Sequence, residues 1–185
     1  MKIAVLVSND LSFDQRVRKT CQVLVDAGHE VVLVGRLLSD SVPYEGPGSA
    51  IRLPLRHTSG VFFYAELQFA LWTWLKTADI DAVWSNDLDT LLPALRISRR
   101  RNIRIVYDSH EYFTEAAGLT GHPLRRFVWL TIERYCIPKL NKMELHLPVY
   151  FIPCRPALSL HVLVVEVYRG LIVLSLGNVC FYLTL

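Results

Sequence analysis

Ile103-Arg104-Ile105-Val106-Tyr107-Asp108-Ser109-His110-Glu111 is the stretch that decides the fold. A β-branched apolar run stops there at four consecutive polar residues. In an open parallel sheet, ligands sit outside the carboxyl ends of the strands. A buried strand ending this way delivers acid/base and hydrogen-bonding groups to that edge. The pattern recurs at Ile3-Ala4-Val5-Leu6-Val7-Ser8-Asn9-Asp10 and at Val83-Trp84-Ser85-Asn86-Asp87. Three strands ending in Ser/Asn/Asp/His-rich turns imply a site built along one edge of a sheet.

Between these strands the apolar period changes from 2 to 3.6. Ser12 with Gln15 fits a capping box opening a helix. Val17, Cys21, Leu24 and Val25 share one face of it, and Gly28 is placed to end it. Strands follow at Glu30 to Val34 and Ala50 to Leu55, with a Ser/Pro/Gly-rich loop from Arg36 to Ser49 between them. Val61 to Lys76 reads as a helix loaded with aromatics, its default being burial against the sheet. After the strand at Asp81 to Trp84, a helix is expected from near Asp89, which leaves Pro93 in its first turn. Arg99, Arg100 and Arg101 close it. Pro123 to Lys142 is a further helix, with Pro138 as a kink or end. The alternation predicts an α/β fold, Rossmann-like and doubly wound, with a mostly parallel sheet.

The 185 residues are 52% hydrophobic and 20% charged with a net charge of +3, enough for one good core and too mildly basic to point to nucleic acid. Neither Arg99 to Arg104 nor Arg125-Arg126 is interleaved with aromatics as in a nucleic-acid platform. They read as a solvated helix end or as a surface for anionic lipid headgroups. Cys21, Cys136, Cys154 and Cys180 lie too far apart for metal-ligand spacing and are expected to be reduced and mostly buried. No signal-peptide pattern opens the chain, so a cytoplasmic location is the default.

The composition changes near Met143. Beyond it only Glu144, Arg155, Glu166 and Arg169 are charged. Two domains follow from this, 1–143 and an atypical apolar tail, 144–185, of the kind a frameshift or premature end would produce. The last uncharged run spans ~24 Å as a helix, short of the ~30 Å of bilayer hydrocarbon. Two sticky β-strands suit the tail at least as well as a membrane span.

Residues 1 to about 143 resemble the N-terminal half of a GT-B glycosyltransferase of the family 4-like group. The resemblance rests on Asp14-Gln15-Arg16-Val17 followed by Leu24, Gly28, His29 and Val31, on Ser85-Asn86-Asp87-Leu88-Asp89-Thr90-Leu91, and on Tyr107-Asp108-Ser109-His110-Glu111. It implies transfer of a sugar, hexosyl and with retention, from a nucleotide-sugar donor to a glycan or lipid-linked acceptor. The acceptor side would be held by this half. No metal cofactor is implied, because helix dipoles and cationic side chains stabilise the leaving diphosphate. A peripheral contact at the inner face of the membrane fits such an acceptor. The donor-side domain of the family has no counterpart after Met143, so this chain is expected to be inactive alone. The first strand–helix loop also lacks the glycines many relatives place there.

His110 is the leading catalytic candidate, with Glu111 to orient it or to bind an acceptor hydroxyl. Helix capping and dipole stabilisation are the structural readings of the same pair. Asp108 would bind substrate or accept from loop amides. Arg16 sits early in its helix, against the macrodipole, and would hold an anionic ligand or pair with Asp14 or Asp10. Asn86, Asp87 and Asp89 would line the acceptor site, at least one of them acting as an N-cap.

Other chemistries lack their motifs: no G-x-G-x-x-G follows the first strand, and there is no Walker A, zincin or G-x-S-x-G sequence. The alternative in a different class is a non-catalytic α/β module that binds a glycan or docks on a partner supplying the donor domain.

Overall fold

The computed structural model describes residues 1–12, 14–108 and 121–140 in full, and the backbone alone of the strands beyond them. The backbone forms two compact units, Met1–Ile105 and Val106–Leu185.

The first unit alternates β1 (Lys2–Leu6), α1 (Gln15–Asp26), β2 (Glu30–Leu37), β3 (Ser49–Pro54), α2 (Gly60–Thr77), β4 (Ala82–Asn86) and α3 (Leu88–Arg101), and ends as β5 (Arg104–Asp108) begins. The strands form a parallel sheet in the order β3-β2-β1-β4-β5. β1 is central: Ala4 pairs with Val32 on one side and Val83 on the other. Ala4, Val5 and Leu6 are fully buried, as a strand covered on both faces requires. The α/β, Rossmann-like class expected from the alternation is the class observed.

Local chemistry sets the helix ends. The N-cap of α1 is Asp14, not Ser12: its carboxylate accepts from the Arg16 and Val17 amides. Ser12 is otherwise engaged, its hydroxyl accepting from the Arg52 side chain. At the other end Gly28 adopts φ +80, its N–H donates to the Val25 carbonyl, and the His29 N–H donates to that of Leu24. This is a Schellman motif, as the position of Gly28 suggests. Val17 and Cys21 pack against Ile3, Val5, Val31 and Leu33.

α2 buries Phe63, Leu67, Leu71 and Leu75 at a spacing of four and packs on α3. Val61, Phe62 and Phe69 remain exposed, so the aromatic load is only partly absorbed by the core. α3 begins at Leu88, which puts Pro93 in the second turn rather than the first. Proline there removes the N–H that would reach the Asp89 carbonyl. The Gln68 side chain of α2 donates to that carbonyl instead. Of the three closing arginines, Arg101 is committed internally: it donates to the carbonyls of Leu75, Ala78 and Ile80 at 3.3, 2.6 and 3.3 Å, capping α2. Arg99 and Arg100 are exposed.

The second unit holds the end of β5, then α4 (Pro123–Cys136), which gives way to a 3₁₀ turn at Ile137–Lys139 where Pro138 stops it. α4 buries Trp129 and Cys136. Four strands follow, where the sequence suggested two: β6 (Leu145–Val149), β7 (Leu163–Tyr168), β8 (Leu171–Leu176) and β9 (Val179–Thr184). β6 runs parallel to β5, Tyr107 pairing with Leu145, and β6 to β9 are antiparallel in succession. Among the described residues no helix is long and apolar enough to cross a membrane. Cys21 and Cys136 are buried, as expected.

Candidate functional site

The carboxyl ends of β1 and β2 frame a cavity of about 260 Å³, lined by Ser8, Asn9, Arg36, Thr58, Ser59, Gly60, Phe63 and Tyr64. Its floor depends on a close approach between two strands. The Arg36 N–H donates to the Asn9 carbonyl at 3.2 Å. A Cβ on the preceding Gly35 would lie 2.5 Å from that same carbonyl oxygen and 2.6 Å from Leu11. Gly35 is therefore what lets the Asn9 carbonyl come this close to β2. The Arg36 guanidinium lies 4.9 Å over the Phe63 ring and donates to the Thr58 carbonyl and to Asn9 Oδ1, both at 3.0 Å.

Asp10 fixes the loop beneath. Its buried carboxylate accepts from the Ser12 amide at 3.0 Å, the Ser41 hydroxyl at 2.5 Å and Arg52 Nε at 3.0 Å. Burial alone would raise its pKa, but these bonds to the charged form outweigh burial and hold it below the usual carboxylate value. Arg52 also reaches the Val42 carbonyl at 2.7 Å, so one ion pair ties the β1–α1 loop to the β2–β3 loop.

The turn from β4 into α3 is the second element of the edge. Asp87, the N-cap, has φ +60 and ψ 169 and makes no capping bond with its side chain. This backbone region is essentially reserved for glycine and costs on the order of 1–3 kcal/mol for other residues. Asn86 is buried; its amide donates to the Leu6 carbonyl at 3.0 Å, tying β4 to β1. Asp89 is buried too, and burial pushes its carboxyl up to about 7, with Asp87 adding repulsion and a hydrogen bond from Ser8 opposing. Ser8 lines the cavity, so a group that exchanges a proton near neutrality lies one hydroxyl behind its wall.

Asn86 and Asp87 are adjacent in the β4–α3 turn. Arg16 lies in the first turn of α1, its Nε 3.4 Å from Asp14, and does not line the cavity. Asp108 closes β5 in the second unit, in register with His146. His110 and Glu111 lie outside the described residues. Sequence reading missed Arg36 and the Thr58–Tyr64 wall. The available signal was a glycine followed by a cation at the end of an apolar run. Among the described residues no group of three metal-ligating side chains converges.

Residues 14–140 match the family described as the glycosyl transferase 4-like domain. No curated protein matches the chain. Sucrose-phosphate synthase from Thermosynechococcus elongatus superposes with a TM-score of 0.53 at 15% identity, over 74% of this chain and 40% of that one. A shorter form of that protein gives 0.54 at 15% identity, over 80% of this chain and 77% of that one. A glycosyltransferase from a Streptomyces species, complexed with thymidine diphosphate, gives 0.49 at 12% identity, over 76% and 44%. At such identities the likeness concerns the fold. The chain spans 40% and 44% of the length of the two longer structures.

Proposed function

The chain belongs to the glycosyl transferase 4-like family, and on that premise we propose that it is the acceptor-side domain of a glycosyltransferase, seating a glycan or lipid-linked acceptor at the carboxyl ends of β1, β2 and β4. The observation behind this reading is the cavity at that edge. It combines hydrogen-bonding groups (Ser8, Asn9, Arg36, Thr58) with two aromatic side chains, Phe63 and Tyr64. Sugar recognition uses that mixture, with hydroxyls met by polar atoms and C–H faces by rings.

The donor in this reading is a nucleotide-sugar. The acceptor oxygen bonds to the anomeric carbon as the bond to the diphosphate breaks, and the acceptor loses its proton. Retention and a hexosyl donor are what the family resemblance adds. His110 and Glu111 are proposed as catalytic residues and Asp108 as a substrate-binding one, on the strength of the family resemblance. A donor-side domain has to supply the diphosphate contacts, so this chain alone binds acceptor without turnover.

Ligand-observed NMR of the full chain with glucose, N-acetylglucosamine and maltose tests the first half, and a nucleotide-sugar turnover assay the second. Saturation transfer to at least one sugar, weakened in Tyr64→Ala, and no turnover are expected. Absence of binding by these sugars and by anionic ones alike would remove the acceptor reading. Turnover by the chain alone would remove the dependence on a second domain.

A further inference from the structure

We propose that the cavity between β1, β2 and the start of α2 is an oxyanion seat, so that the acceptor carries a phosphate or carboxylate group that Arg36 binds. The inference rests on the acceptor reading and narrows its substrate class.

The argument is one of charge. Arg52 is paired with Asp10, Arg16 with Asp14, and Arg101 is occupied by three carbonyls. Arg36 makes no ion pair among the described residues, and both of its hydrogen-bond partners are neutral. Those partners and the Phe63 ring fix the guanidinium in place without neutralising it. Its Nε is shut off from solvent and donates to nothing among the described residues. Each terminal nitrogen uses one hydrogen on Thr58 or Asn9 and keeps a second, and a pair of N–H groups is what a bidentate oxyanion takes. The nearest buried carboxylate in the same loop, Asp10, is already held by Arg52 and two hydroxyl or amide donors.

A second positive feature borders the same cavity. Ser59 and Gly60 open α2, whose N-cap hydroxyl makes no capping bond and whose first turn holds no acidic residue. Uncapped amides of a first turn favour an anion. A neutral hydroxyl would meet these donors too, but would leave the guanidinium charge without its counterpart.

Calorimetric titration of the full chain with glucose, glucose 6-phosphate, glucuronate and inorganic phosphate tests this. At least one anionic sugar should bind about tenfold more tightly than glucose, the effect of one charge-assisted hydrogen bond. The preference should shrink as salt is raised, vanish in Arg36→Gln and survive only in part in Arg36→Lys, which keeps the charge but not the paired N–H groups. Phosphate against glucuronate identifies the oxyanion. Equal binding of charged and neutral sugars by the wild-type chain overturns the inference and leaves the acceptor reading in place, and this comparison needs no variant to fold. A preference that persists in Arg36→Gln also overturns it. Binding of inorganic phosphate through Arg36 without any sugar supports the seat and counts against the acceptor reading. No binding of any of the four overturns both.

Discussion

Gln68 donates its side-chain amide to the backbone carbonyl of Asp89, the acceptor that Pro93 leaves empty four residues on. The bond lets a proline sit in the second turn of α3 without orphaning a buried carbonyl. Gln68→Leu should therefore cost about 1–3 kcal/mol in urea unfolding. Restoring the missing N–H with Pro93→Ala should make the same change cheaper. A double-mutant cycle with no coupling between positions 68 and 93 would contradict this account.

Asp89 gives the first unit an inverted pH dependence. Its folded pKa, about 7, lies above the unfolded value, so the native state holds the extra proton between the two. Stability from this group is complete below pH 4 and falls as pH rises towards 7, by on the order of 4 kcal/mol. Asp89→Asn should remove that slope. Urea midpoints of both proteins from pH 4 to 8 should converge at the acid end and separate at the alkaline end, the variant being the more stable there.

Glu66 runs the other way. Its carboxylate accepts from the Arg56 and His57 amides and contacts the His57 ring at 2.9 Å, which holds its pKa down at about 2. Stability from Glu66 is present above its unfolded value near 4.5 and is lost as pH falls towards 2. Glu66→Gln should flatten acid unfolding in that window. An unchanged acid limb would show that the clasp contributes nothing to folding.

Asp10 and Arg52 test the loop anchor. Asp10→Ala leaves a half-buried guanidinium without its counter-charge and should cost about 3 kcal/mol. Thermal unfolding of the variant at neutral pH would measure the loss, and a shift within error of wild type would exclude the ion pair as an anchor.

Two glycines separate backbone strain from steric contact. Gly28 has φ +80 with open space where a Cβ would sit, so Gly28→Ala should cost only about 1 kcal/mol. At Gly35 the new methyl meets the Asn9 carbonyl, which cannot move without breaking the hydrogen bond it accepts from the Arg36 N–H. Gly35→Ala should cost more than Gly28→Ala and should also weaken any ligand of the cavity.

The sheet was legible because β1, β4 and β5 announce themselves as apolar runs ending in polar residues, and Gly28 as a helix stop. Helix starts were less so. Ser12 and Asp14 are both competent caps, and the choice is made by Arg52, 40 residues from Ser12, which engages the Ser12 hydroxyl. Pro93 looked confined to a first turn because its compensating donor, Gln68, lies on another helix. Arg36 looked like the start of a loop; Asn9, 27 residues away, and the pairing of β1 with β2 turn it into part of a site. Asn86 was recognised as a strand-end residue, yet its amide is used inside the sheet, on Leu6.

α2 is fastened near its start by Glu66 to the preceding loop, at mid-length by Gln68 to α3, and at its far end by Arg101. Mechanically it is a beam clamped at three points, and its free tip is the cavity wall formed by Ser59, Gly60, Phe63 and Tyr64. Such a wall does not fold over a guest. A ligand finds the cleft already shaped, the ordering of that wall having been met when the chain folded, and the affinity it gains is the affinity of a rigid mould.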